Sequence, residues 1–345
     1  MIQFDCDYLE GAHPRILEKL LETNLEQTEG YGCDPYSEAA RRKIRAYCAL
    51  PDDAEVQFLV GGTQTNTTVI ASILHPHQGV ICADTGHINH HETGAIEATG
   101  HKVLPIPTPD GKLTAAMVEY CYYNHWNDAT HEHMVQPGMV YISHPTENGT
   151  LYSKAELSAL HTVCTRYGLP LYLDGARLGY GLMAPSADLT LPDIARYCDV
   201  FYIGGTKVGA LFGEAVVIPN SSLSRDFRYI VKQRGGMLAK GRLLGLQFLT
   251  LFTDDLYFQV STHALEMAYR IRDAFAAKGF PFLYESESNQ QFPILPNHVL
   301  NQLSDQFSGE VWSKCDETHT AVRFCTSWAT TAEQVASLEA ALEQL

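Results

Sequence analysis

Three short segments of the chain combine residue types that chemistry can use, and each lies at the end of an apolar run. The first is GGTQTN at 61–66. Paired glycines let the backbone approach an anion closely, and the start of a following helix points free N–H groups at it, as a phosphate requires. Gly62 and Thr63 are the candidate ligands. The segment is neither a Walker loop, since no lysine follows at that spacing, nor a GxGxxG turn, and alone it also reads as an ordinary strand-to-helix connection. The second is YLDGARLGYG at 172–181. An acid closing a buried strand sits where open α/β sheets bind ligands, so Asp174 can pair with a protonated heteroaromatic nitrogen. Arg177 can hold a carboxylate bidentately, which lysine does poorly. The structural alternative is a turn-capping Asp174 ion-paired with Arg177. The third is FYIGGTKVGALFGEA at 201–215. A lysine in a tight, partly desolvated loop loses its proton more readily and can form a Schiff base, which makes Lys207 the candidate nucleophile. Thr206 beside it can donate to a phosphate. The structural alternative is a surface lysine in a loop.

The order of these segments carries more than any one of them. A phosphate turn, an acid at a strand end and a lysine at the next strand end are the parts that pyridoxal 5′-phosphate (PLP) needs together. Its ring also needs a stacking partner, and His87 in DTGHINHHETGA follows another strand end.

The elements that must position these residues can be read from the pattern of apolar residues. Strands are predicted at 57–60, 79–84, 101–107, 139–144, 169–176, 199–207 and 211–219, with helices at 63–74 and 154–167 and a turn plus helix over 85–99. Strands alternating with helices imply βαβ units and a mostly parallel sheet. Residues 225–278 read as nearly all helical. The stretch 280–345 reads as a small α+β unit built from FPFLYE, TAVRFC and an amphipathic tail. The N-terminal segment is helical after a short lead, and its ends are expected to pack against the C-terminal part. The expected division is an N-terminal segment 1–50, a large PLP-binding domain 51–250 and a small C-terminal domain 251–345.

Composition restricts the function classes. The 345 residues are 45% hydrophobic and 19% charged, enough for a large core and unlike a disordered chain. A formal net charge of −16 disfavours nucleic acid and anionic membrane as partners. The N-terminus carries acids early and no apolar core of a signal peptide, and no run long enough for a membrane span occurs. The nine cysteines are scattered, odd in number and without a CxxC pair, which suits reduced thiols in a cytoplasm. His131 and His133 flank Glu132, but HEH is not HExxH, and no metal site is expected.

The chain resembles the low-specificity L-threonine aldolases, PLP-dependent β-eliminating lyases of fold type I. GYGCDPYSE, GGTQTN, HINHHETGA, DGARL and GGTK match the family's segments in order, and FDCDYLEGAHPRIL resembles its opening. The resemblance implies an α/β, PLP-dependent transferase-like fold: a large domain with a mostly parallel sheet flanked by helices, and a small C-terminal α+β domain. It implies that Gly62 and Thr63 hold the phosphate with help from Thr206, that His87 stacks on the ring, that Asp174 keeps the ring nitrogen protonated, and that Lys207 carries the cofactor. Arg177 and Arg323 would clamp the substrate carboxylate. A homodimer or homotetramer with shared active sites is implied, in which Lys232 can reach a neighbour's phosphate. Three departures stand out. Cys6, a candidate substrate contact, replaces the family's usual serine. Leu238 stands where an arginine often follows GGM, with Lys240 or Arg242 as possible substitutes. SHPTENGTLYS places Glu147 where the family has a histidine near the substrate hydroxyl, with His144 three residues earlier.

The reaction implied is cleavage of a β-hydroxy-α-amino acid of the L-threonine or L-allo-threonine type to glycine and an aldehyde, with His87 and Glu147 as candidate bases. The alternative is another PLP-dependent β-eliminating lyase or an aminotransferase acting on an amino acid. A non-catalytic PLP-binding protein would be expected to lack the arginine clamp, and a nucleotide-binding α/β protein would make no use of Lys207.

Overall fold

The computed structural model describes all 345 residues. A seven-stranded sheet runs through its centre, with strands β1 (Glu55–Leu59), β2 (Gln78–Ala83), β3 (Lys102–Ile106), β4 (Gln136–Ser143), β5 (Leu171–Asp174), β6 (Val200–Gly204) and β7 (Glu214–Ile218). The spatial order is β1-β7-β6-β5-β4-β2-β3. Strands β2 to β6 are mutually parallel, whereas β7 runs antiparallel to both β6 and β1. Each predicted strand of the sheet is present, with its ends shifted by up to three residues.

Strand alternation divides the core into two layers. Val140, Ile142, Leu171, Leu173, Phe201 and Ile203 face one layer. Met139, Tyr141, Tyr172, Val200 and Tyr202 face the other, against Val69 and Ile70 of the helix Gly62–Ile73. The register pairs Tyr141 with Tyr172 and Ser143 with Asp174, so a row of tyrosines crosses the sheet directly below the acid. The helix Lys154–Tyr167 forms where the sequence places it. Ser153 and Glu156 make a reciprocal capping box at its start, and Gly168 ends it in the left-handed conformation at φ 64°.

A second unit is built around Phe4, Met267, Phe275, Leu295, Val322, Phe324, Val335 and Leu338. Its sheet has His319–Cys325 between Ile294–Pro296 and Glu310–Lys314, flanked by the helix Ala332–Glu343. The N-terminal lead joins this unit, since Ile2–Gln3 pairs in parallel with Phe307–Ser308. The long helix Leu256–Ala277 packs against both units.

Two expectations differ from the structure. Residues 85–99 form one short helix at His87–His90, a turn, and a 3₁₀ turn at Glu97–Thr99, rather than a continuous helix. FPFLYE makes only a single bridge, Phe282 to Pro293, and the added strand is Glu310–Lys314, whose mixed EVWSK gives little apolar signal. No helix is long and apolar enough to cross a membrane.

Candidate active site

The carboxyl ends of the parallel strands converge on one cavity of about 320 Å³. It is lined by Gly61–Thr63 after β1, His87 after β2, Ser143 and Glu147 at the end of β4, Asp174 and Arg177 after β5, and Thr206 and Lys207 after β6. Because β7 is antiparallel, its first residue, Glu214, reaches the same edge. A second chamber of about 280 Å³ shares Tyr8, His87, Glu147, Arg177 and Lys207 with the first and adds His91, Gln290, Glu310, Trp312 and Arg323.

Asp174 is held by four donors. The Tyr141 hydroxyl (2.6 Å) and the Asn66 amide (3.2 Å) donate to Oδ2, and the Tyr202 hydroxyl and the Ala176 N–H donate to Oδ1. Gly175 is needed between acid and arginine, because a Cβ there would lie 1.9 Å from the Tyr202 carbonyl oxygen. Lys207 Nζ has no hydrogen-bond or ion-pair partner and lies 6.0 Å from the centre of the Tyr8 ring. Burial pulls its pKa down, helped by the Arg177 charge and opposed by Asp7, Asp174 and Glu214.

Arg177 is tied to Asp7 rather than to Asp174. Its Nε donates to Oδ2 at 2.7 Å and its NH2 to Oδ1 at 3.0 Å. Burial works against the Asp7 charge, but Arg177 and Lys207 outweigh it and hold the carboxyl at about 2. This fork leaves the NH1 side of the guanidinium for a further carboxylate. Arg323 donates to the Asp5 carbonyl oxygen (2.8 Å) and to Gln290 (3.1 Å) and is paired with Glu310, and its Nε is buried without a partner.

Glu147 is buried. Its Oε1 accepts from Ser143 Oγ at 2.7 Å and from the His87 N–H at 2.9 Å, and its Oε2 has no partner. Burial raises its pKa, with the Ser143 bond opposing. His144 faces away from this chemistry. It is buried, its Nδ1 accepts from the Tyr152 N–H at 3.3 Å, and its Nε2 has no partner. Burial holds its pKa down to about 4. The neutral ring is therefore kept in the folded state while the unfolded chain binds a proton from about pH 6.5 downward. Stability falls as pH drops from about 6.5 to 4, by up to about 3 kcal/mol from this one group. Urea unfolding of the wild type and of His144→Gln across that range checks it: the variant should lose this part of the slope.

Several expected contacts take a different form. Cys6 does not line either chamber, whereas Tyr8 does and Asp7 acts through Arg177. Thr206 lines the cavity, but its hydroxyl donates to Glu214 at 2.8 Å and accepts from the Gly213 N–H, so it is not free to donate to a phosphate. Lys232 lies over the Tyr31 ring at 4.7 Å, outside the cavity of its own chain. Lys240 and Arg242 line a separate pocket, where Arg242 donates to the Glu26 and Thr23 carbonyl oxygens.

The profile of the family described as beta-eliminating lyase matches residues 5–296. The chain belongs to the β-eliminating lyase family. Among curated relatives, a low specificity L-threonine aldolase of a Pseudomonas species is 30% identical over 98% of this chain and 96% of its own. Among solved structures, a threonine aldolase of Leishmania major is 44% identical with a TM-score of 0.97, covering 100% of this chain and 99% of its own. An aspartate aminotransferase of Thermus thermophilus, at 14% identity and a TM-score of 0.72 over 100% of this chain and 90% of its own, shows the shared fold type I.

As a β-eliminating lyase of this fold, the protein depends on PLP. The cavity fits the group on its own chemistry. The helix Gly62–Ile73 begins with no side-chain cap, so its first N–H groups remain for a phosphate. Asp174 offers a fixed carboxylate, and Lys207 offers an amine with no competing partner. The sequence reading missed Asp7, Tyr8 and Glu214. Glu214 is buried in the cavity wall, where burial pushes it up to about 8 against the bonds from Thr206 and Gly205. Nothing local marks an acid whose partner is 170 residues away, as Asp7's is.

Proposed function

We propose that this protein cleaves β-hydroxy-α-amino acids of the L-threonine and L-allo-threonine type to glycine and an aldehyde. The observation that carries the reading is the meeting of Lys207, Asp174, an uncapped helix N-terminus and Arg177 in one cavity of a chain similar over its whole length to threonine aldolases.

PLP, when bound, supplies an electron-withdrawing ring that stabilises the charge left on Cα as the Cα–Cβ bond breaks. Lys207 holds the cofactor through its amine. Asp174 keeps the proton on the ring nitrogen, and either tyrosine hydroxyl can turn to free a lone pair for it. Gly62 and Thr63 would hold the phosphate, and His87 would be the stacking partner of the ring. Arg177 and Arg323 would bind and orient the substrate carboxylate. Glu147 or His87 takes the proton of the β-hydroxyl as the aldehyde leaves, and Lys207 is placed to return a proton to Cα. Burial raises the pKa of Glu147, which makes its carboxylate the more ready proton acceptor.

Purified protein given L-threonine, L-allo-threonine, serine and phenylserine should release aldehyde and glycine. Ammonia and a keto acid without aldehyde would assign the chain to β-elimination instead. Arg177→Lys, which keeps the charge but loses the fork, should raise KM for threonine by about 10- to 100-fold with a smaller change in kcat, read from initial rates.

The reading extends to assembly and location. A homodimer or homotetramer is proposed in which Lys232, Lys240 or Arg242 of one copy completes a neighbour's site. The exposed apolar side chains of Leu21, Leu25, Tyr31 and Leu211 support it, and sedimentation equilibrium tests it. A cytoplasmic location is supported by nine free cysteines. The division into 51–250 and 251–345, with residues 1–50 running along both, is supported by the separate core of the C-terminal unit.

A further inference from the structure

Glu92 is buried and has no part in the reaction as described above. Its Oε1 lies 2.9 Å from His87 Nδ1 and 2.7 Å from Asn66 Nδ2, and its Oε2 has no partner. The same Asn66 amide donates to Asp174 Oδ2 at 3.2 Å, while its carbonyl oxygen accepts from the Tyr172 hydroxyl at 2.7 Å. The orientation of Asn66 follows from chemistry: flipped, its oxygen would face two carboxylates. One side chain thus ties the acid of the cofactor-ring site to the acid behind His87.

The consequence falls on the histidine. A carboxylate only accepts, so the hydrogen between Glu92 and His87 must sit on Nδ1. A neutral His87 then carries its lone pair on Nε2. That nitrogen has no partner in the protein, and the ring lines both chambers. We propose that Glu92 is a positioning residue that fixes His87 in the Nδ1–H tautomer, turning Nε2 into a proton acceptor aimed at the substrate. This rests on the aldolase reading for the use made of Nε2, but not for the tautomer itself. With Glu147 on the backbone N–H of the same residue, His87 is held from two sides, by Glu147 at the main chain and by Glu92 at the ring.

The test separates the two parts. In protein without cofactor, labelled with ¹⁵N-histidine and held near pH 8.5, about two units above an ordinary histidine pKa, the His87 resonances, assigned by their loss in His87→Gln, should report Nδ1–H. An Nε2–H signal in the wild type overturns the proposal without any variant of Glu92. Glu92→Met, which removes both acceptor oxygens at similar length, should shift His87 toward Nε2–H and lower kcat by about 10- to 100-fold with little change in KM. Glu92→Gln restores an acceptor oxygen without the charge. It should return the Nδ1–H signal and most of kcat, and failure to return the signal also overturns the proposal. A tautomer shift in Glu92→Met with kcat unchanged would leave the Glu92 contact standing but overturn the assignment of Nε2 as proton acceptor. Absence of aldehyde from the wild type would instead sink the aldolase reading and leave the ¹⁵N result in force.

Discussion

Lys207→Ala is expected to abolish the yellow colour of the purified protein and to lower aldehyde release by about 10³-fold or more, equivalent to at least about 4 kcal/mol of transition-state stabilisation. No other lysine of the same chain lines the cavity. The same substitution should not weaken the fold. Burial and the Arg177 charge disfavour the ammonium form of Lys207, and its removal relieves that cost, although Asp7 loses one of the two cations near it. The cofactor-free variant should therefore unfold at a temperature equal to or above that of the cofactor-free wild type. Borohydride reduction followed by peptide mapping gives an independent check: label on any residue but Lys207 would refute the assignment.

Asp174→Asn is the second large effect. Asparagine has nearly the same shape but presents an NH₂ group where Tyr141 or Tyr202 now donates, and it cannot hold a proton on a ring nitrogen by charge. Removing one partner of a buried ionic contact costs about 3–5 kcal/mol, so kcat/KM should fall by about 10²- to 10⁴-fold. The cofactor should also dissociate more readily, measurable by the decay of its absorbance on dilution. Tyr141→Phe removes one of four donors and leaves the charge, so its effect should be much smaller, on the order of 1 kcal/mol. Equal losses in the two variants would argue that orientation of the acid matters more than its charge.

The unequal legibility of the site has a physical basis. GGTQTN, Asp174 and Lys207 were readable because each sits at the C-terminal end of an apolar run, and the end of a parallel strand is where side chains become available to a ligand. The helix Ala115–Trp126 was missed, since YCYYNHW carries no clear helical period. The contacts of Thr206 and Cys6 were not legible in the same way. The hydroxyl of Thr206 is taken by Glu214, which lies on a strand antiparallel to the others. Cys6 alternates with Asp7, and it is Asp7 that turns toward Arg177.

Local order in the chain was sufficient to specify the parallel sheet, the succession of phosphate turn, acid and lysine, and hence the cofactor class, because strand and helix periods and turn chemistry act over a few residues. It did not specify which acid pairs with which base. The contacts of Arg177 with Asp7, of Asn66 with both Glu92 and Asp174, and of the tyrosine row with Asp174 join residues far apart in sequence. The sheet register sets Tyr141 beside Asp174, and a shift of one residue between those two strands would turn Tyr172 and Asp174 to the face opposite Tyr141, while packing of the N-terminal lead and of the helix Gly62–Ile73 brings Asp7 and Asn66 to the same site.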